Sequence, residues 1–215
     1  MNRSLKKEVI RKSVHMTSVL IPIFYMLTDF STSIIIFIII LNLCLIFDLL
    51  RLRVLKDSGI FENLINITGI SSIFREHENE RISGASYLLL GAVICVTFVP
   101  KIIFVMAFFI LAVADSAAAL IGKTYGKYKI REKTLEGTCA FFIASIFAVF
   151  PTAILYNNTN LQFIAVLLVS IIITTFAELY LASRMLDDNL IIPLTFCISY
   201  SIMSSFIEVG NLRLN

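Results

Sequence analysis

Long apolar stretches separated by short polar intervals dominate the chain, and their lengths match the roughly 20 residues that a helix needs to cross a bilayer. Seven stretches run at about 13–30, 32–50, 83–100, 102–121, 137–156, 160–180 and 190–208. None shows the strict alternation of a barrel strand, and hydrocarbon offers no partner for open backbone groups, so helices are expected. The predicted fold is all-α: one integral-membrane helix bundle over residues 1–215, multi-pass, with about seven transmembrane helices and polar loops at about 51–82 and 122–136. In the longer loop, "DSGIFENLINITGISSIF" mixes apolar and polar residues and is expected to form a short interfacial helix. The basic start leads into a long span without a small-residue cleavage site, so no cleavable signal peptide is expected.

Composition agrees with this pattern. Hydrophobic residues make up 58% of the 215 positions and charged residues only 15%, well above and below the averages for soluble domains. Cys44, Cys95, Cys139 and Cys197 stand far apart inside apolar runs, which supports neither a zinc site nor a disulfide framework. A net charge of +3 is too small to point to nucleic acid.

The placement of the charges is more informative than their sum. With the N-terminus on the cytoplasmic side, 16 of the 18 Lys and Arg residues fall on that side, and only Lys101 and Arg213 fall outside. Cytoplasmic loops carry such an excess, so the N-terminus is predicted to be cytoplasmic. Most carboxylates gather on the same face, although the basic-residue rule places no demand on them. A polar site at the cytoplasmic boundary accounts for both signs.

Asp115, in "ADSAAALIGKTYGK", stands inside an apolar run, where a carboxylate is costly and usually functional. Gly122-Lys123-Thr124 invites comparison with a phosphate loop, but the spacing fails and the segment ends a helix where a phosphate loop opens one. The next helix begins at "KTLEGTCAFF", with its unpaired N–H groups facing the same loop. The 115–137 unit therefore offers carboxylates for a metal and lysines and N–H groups for phosphates. In "EVIRKSVH", Glu8, Arg11, Lys12 and His15 share one helical face. "ENERISGASYLLLG" brings Arg81 to the same depth. "AELYLASRMLDDNLIIP" adds Glu178, Asp188 and Asn189, the last two also good helix caps.

These residues resemble a family. "ExxRKxxH", "SGASYLLLG", "ADSAAALIGKTYGK", "KTLEGTCAFF" and "DDNLIIP" occur in an order similar to that of the dolichol kinase, phytol kinase and CTP-dependent diacylglycerol kinase family, nearest its compact phytol-kinase-like members. The resemblance runs from Glu8 to Pro193. It implies transfer of the γ-phosphoryl group of a nucleotide, CTP above all, to the hydroxyl of a membrane lipid such as phytol, a polyprenol or diacylglycerol, with Mg²⁺ as cofactor and the active site on the cytoplasmic side.

Phosphoryl transfer requires mainly charge neutralisation and alignment, and the candidate roles follow. Asp115, Glu136 and His15 are the catalytic candidates, and Asp115, Glu136 and Asp188 the metal ligands. Arg11, Lys12, Lys123, Lys127, Lys133, Gly122 and Gly126 are assigned to the nucleotide phosphates. Glu8, Arg81, Glu178 and Asn189 are further candidates. A cytidylyltransferase forming a CDP-lipid would use a similar site. A small ion-coupled transporter is the alternative of another class, and the lack of ionisable residues in the outer halves of the spans argues against it.

Overall fold

The computed structural model describes residues 3–55, 82–157, 159–181 and 187–207. Arg81, the interfacial helix expected in the long loop and Arg184 lie outside the described residues. Helices follow one another along the chain: α1 (Arg3–His15), α2 (Leu20–Leu27), α3 (Phe30–Leu50), α4 (Gly84–Phe98), α5 (Lys101–Phe109), α6 (Asp115–Tyr125), α7 (Leu135–Leu155), α8 (Leu161–Tyr180) and α9 (Asp188–Ile207). A 3₁₀ turn at Met16–Val19 joins α1 to α2, and a π turn at Ile110–Ala114 joins α5 to α6.

Among the described residues four helical runs are long and apolar enough to cross a membrane: Phe30–Arg53, Lys101–Tyr125, Leu135–Leu155 and Leu161–Tyr180. Gly84–Phe98 is a shorter apolar helix. These lengths and compositions are those of an integral membrane protein. Packing separates the runs sharply. In its most apolar window Lys101–Tyr125 is 78% buried and Phe30–Arg53 only 17%, so the first is the bundle's axis and the second a peripheral helix. Ile102 through Phe108 are all buried, as expected for a helix apolar on every face. Phe104 stacks on Phe108 at 4.5 Å and on Phe37 at 5.9 Å, and meets Tyr25 edge-on at 4.8 Å.

Caps set several boundaries. The first two apolar stretches were expected to part at about residue 31, yet α2 ends at Leu27 because Asp29 caps α3, its carboxylate accepting from Thr32 N at 3.0 Å. Asn160 caps α8 in the same way, accepting from Phe163 N at 2.7 Å. At that end of the bundle Lys101 donates to Thr28 O at 2.7 Å and lies over the Tyr25 ring.

At the opposite end α6 and α7 pack closely. A Cβ on Gly137 would stand 2.9 Å from Ala118 O, and one on Gly122 2.8 Å from Thr134 Oγ1. Gly122-Lys123-Thr124 lies in the last turn of α6, so its backbone is helical and forms no phosphate loop. The connection from α6 to α7 was expected to be an open basic loop. It contains a short antiparallel hairpin, β1 (Lys129–Ile130) with β2 (Lys133–Thr134), turned at Arg131, whose φ of 56° is left-handed. Leu135 N donates to Tyr128 O at 2.9 Å and closes the hairpin against the start of α7.

Candidate functional site

The C-terminal ends of α6 and α8, the N-terminal ends of α7 and α9, the hairpin and α1 all meet at one end of the bundle. They enclose a cavity of about 330 Å³. Among the described residues five carboxylates (Glu8, Asp115, Glu132, Glu178, Asp188) and four cationic side chains (Arg11, Lys12, Lys123, Lys133) line it. Ala118, Ala119, Gly122 and Gly137 add small surfaces that leave room among them.

The charges form two centres and a rim. In the first centre Lys12 donates to Asp115 Oδ2, with only 3% and 6% of the two side chains exposed. His15 Nε2 stands 3.2 Å from the same oxygen and 3.3 Å from Leu111 O, a carbonyl of the π turn. Both neighbours are acceptors when Asp115 is ionised, so that ring nitrogen carries a proton. Neither contact uses Asp115 Oδ1. Single π turns inside helical runs occur frequently at functional sites. Here the turn brings the Leu111 carbonyl within reach of His15.

In the second centre Lys133 on β2 donates to Glu178 Oε1 at 2.5 Å and lies 3.4 Å from Asp188 Oδ1. Burial alone would lower the pKa of Lys133, but the carboxylates of Asp188 and Glu178 outweigh it and raise the value above its ordinary 10.5. Glu178 Oε2 is buried without a hydrogen-bond partner. A buried carboxylate oxygen left in that state is costly, and Glu178 is one of the residues that line the cavity.

The rim is Glu8, which accepts from Arg11 within α1 and lies 3.4 Å from Lys123 on α6. Burial would raise the pKa of Glu8, yet Arg11, Lys12 and Lys123 together hold it below its ordinary 4.5.

The structure thus places Arg11, Lys12, Asp115, Gly122, Lys123, Lys133, Glu178, Asp188 and Glu8 on the cavity wall, with His15 against Asp115. Other expected site residues lie elsewhere. Glu136 does not line the cavity; its carboxylate accepts from Lys127 N at 3.0 Å and Tyr128 N at 3.4 Å and so ties down the loop before the hairpin. Lys127 is exposed and absent from the cavity wall. Gly126 serves packing, since a Cβ there would fall 2.1 Å from Gly122 O. Asn189 donates to Gly84 O at 3.1 Å and joins the starts of α9 and α4. The expected metal trio of Asp115, Glu136 and Asp188 is not brought together, and among the described residues no three His, Cys, Asp or Glu side chains are grouped to hold a metal ion.

One polar cluster went unassigned in the sequence. Asp48, buried at the end of α3, accepts from Ser83 N and Ser83 Oγ, both at 2.9 Å, and from Ser86 Oγ at 2.7 Å. Arg51 pairs with its other oxygen at 3.1 Å. The signal was present: a lone carboxylate in "LIFDLL" and two serines three apart at the start of the next apolar run.

No protein-family model and no solved structure matches the chain. An uncharacterized protein of Rickettsia prowazekii is 28% identical over 195 residues, covering 89% of this chain and 92% of that one. The CTP-dependent diacylglycerol kinase 1 of Schizosaccharomyces pombe is 30% identical over 146 residues, and the aligned region spans 62% of this chain and 66% of that enzyme. The dolichol kinase of Saccharomyces cerevisiae is 34% identical over 91 residues, 39% of this chain but 16% of the enzyme's length.

Proposed function

We propose that the protein is a lipid-alcohol kinase that transfers the γ-phosphoryl group of a nucleotide, CTP above all, to the hydroxyl of a membrane lipid. The observation that carries this reading is the pair of lysine–carboxylate centres facing one cavity at the end of an apolar helix bundle. Similarity to proteins named CTP-dependent diacylglycerol kinase and dolichol kinase supports it. The excess of basic residues on one side supports a seven-span topology with the N-terminus and the cavity cytoplasmic.

The charge balance argues for a divalent cation. Among the described residues carboxylates outnumber cationic side chains on the cavity wall, a balance that favours a polyphosphate carrying Mg²⁺ over a bare one. Mg²⁺ typically takes one or two carboxylates and completes its shell with phosphate oxygens and water, so it does not require a cluster of three such side chains. The buried, unpartnered Glu178 Oε2 fits that demand, and Glu178 with Asp188 would hold the ion. When bound, Mg²⁺ neutralises charge on the transferring phosphoryl group.

Lys12, Lys123, Lys133 and Arg11 bind the phosphates, exchanging their present carboxylate partners for phosphate oxygens. Asp115, released by Lys12 as that lysine turns to the phosphates and still held by His15, positions the acceptor hydroxyl and takes its proton. The alcohol oxygen forms the new bond to the γ-phosphorus, the bond from that phosphorus to the bridging oxygen breaks, and the nucleoside diphosphate leaves. Catalysis of this kind is chiefly alignment and electrostatics.

The decisive experiment incubates purified protein with labelled CTP or ATP and a panel of prenols, phytol and diacylglycerol. A phosphorylated lipid with release of nucleoside diphosphate is the expected result. Release of pyrophosphate would show a cytidylyltransferase instead, and no metal-dependent turnover of either nucleotide would refute the kinase.

A further inference from the structure

The hairpin that carries Lys133 cannot hold itself in place. Its strands are two residues each, and an isolated two-stranded hairpin is marginal in water. Its position is therefore set by tertiary ties. One is Lys133 itself, held by Glu178 and Asp188. Another is at the turn: Arg131 Nη1 donates to Tyr180 O at 2.9 Å, and the guanidinium lies 5.7 Å over the Tyr180 ring. That ring stacks in turn on Phe176, with centroids 6.4 Å apart and planes 12° from parallel.

Three features single out this contact. Tyr180 is the last residue of α8, so its carbonyl is among those left without an intrahelical donor, and a cation is favoured at that end of the helix. Arg131 holds a left-handed φ of 56°, the conformation a two-residue hairpin loop requires at its first central position, so the turn itself fixes where this side chain leaves the backbone. Arginine meets a carbonyl and an aromatic face at once because its donors lie in a flat plane, which lysine cannot reproduce.

We propose that Arg131 is a positioning residue: it clamps the hairpin turn to the end of α8 and so keeps Lys133 in reach of the cavity. The need follows from the double demand on Lys133. A phosphate in the cavity competes with Glu178 and Asp188 for its ammonium, and the tie through Lys133 weakens as the phosphate binds. The Arg131–Tyr180 tie uses no group on the cavity wall and persists through that exchange. The effect on turnover rests on the kinase reading; the clamp itself does not.

The test uses the protein in detergent, with its four cysteines replaced and a spin label attached through Lys129→Cys. Arg131→Ala and Arg131→Lys should each raise label mobility without any substrate, while Tyr180→Phe should match the parent. In the kinase assay Arg131→Ala should raise the nucleotide KM about tenfold, corresponding to about 1.4 kcal/mol, with kcat and lipid dependence changed less than about twofold. Combined with Lys133→Ala it should add little, because both act through the same ammonium. An immobile label in Arg131→Ala, parental behaviour of Arg131→Lys, or full additivity with Lys133→Ala would each overturn the proposal. If the parent transfers no phosphoryl group, the kinase reading fails, and the label alone upholds or overturns the clamp.

Discussion

Lys12 and Asp115, 103 residues apart in the chain, form a buried ion pair between α1 and α6. The pair ties the N-terminal helix to the central helix at the point where His15 also meets Asp115. It gives the aspartate a structural role beside the chemical one proposed for it, and the two can be separated.

Asp115→Asn alone leaves the Lys12 ammonium buried without a counter-charge, a defect worth about 3–5 kcal/mol. The single variant should unfold at lower temperature in detergent and transfer no phosphate. Lys12→Met combined with Asp115→Asn should recover most of the thermal stability and none of the activity. Equal stability of single and double variants would show that the pair does not couple the helices.

Glu178→Gln keeps the shape of the side chain and removes its charge. It should raise the Mg²⁺ concentration for half-maximal turnover by at least about tenfold, which equals about 1.4 kcal/mol. Glu136→Gln, altering a carboxylate turned towards the loop backbone, should leave that concentration nearly unchanged. Mn²⁺ binding followed by electron paramagnetic resonance gives the same comparison without turnover.

The pH dependence has a definite sign. The folded pKa of Lys133 is raised above its ordinary 10.5, so its contribution is fully present below that value and is lost only as pH climbs through the folded pKa. Glu8 is held below its ordinary 4.5, so its contribution is present above 4.5 and fades as pH falls through the lower folded value. Thermal stability should therefore be flat with respect to these two groups between about pH 6 and 9. Lys133→Met should remove part of the alkaline loss, and Glu8→Gln part of the acidic one.

Gly126→Ala and Gly137→Ala test packing against phosphate binding. The added methyl would meet Gly122 O at 2.1 Å in the first and Ala118 O at 2.9 Å in the second, overpacking that costs about 1–3 kcal/mol. Both variants should lower the unfolding temperature, with nucleotide KM little changed in the protein that remains folded. A raised KM at parental stability would return Gly126 to the phosphate site.

The helices were legible because a bilayer-length apolar run leaves the backbone one way to satisfy its hydrogen bonds. α3, α7 and α8 lie within two residues of the apolar stretches that announced them. The gathering of charge at one end was legible too, since Glu8, Arg11, Lys12 and His15 share a face by spacing alone. Glu136 was not: its sequence neighbours suit a metal ligand, and only the path of the loop aims the backbone N–H groups of Lys127 and Tyr128 at it. The hairpin escaped notice because strands of two residues have no periodicity to read.

Sequence by itself determined a membrane bundle with most of its ionisable groups collected at one boundary, because solvation energy acts on each residue separately and is written in composition and spacing. Tertiary structure alone decided the pairing of those groups. Lys12 meets Asp115 because α1 packs on α6, and Lys133 meets Glu178 and Asp188 because the hairpin lies over the meeting of α8 and α9. Pairing energies fall off with distance between side chains, and that distance is set by the contacts of whole helices.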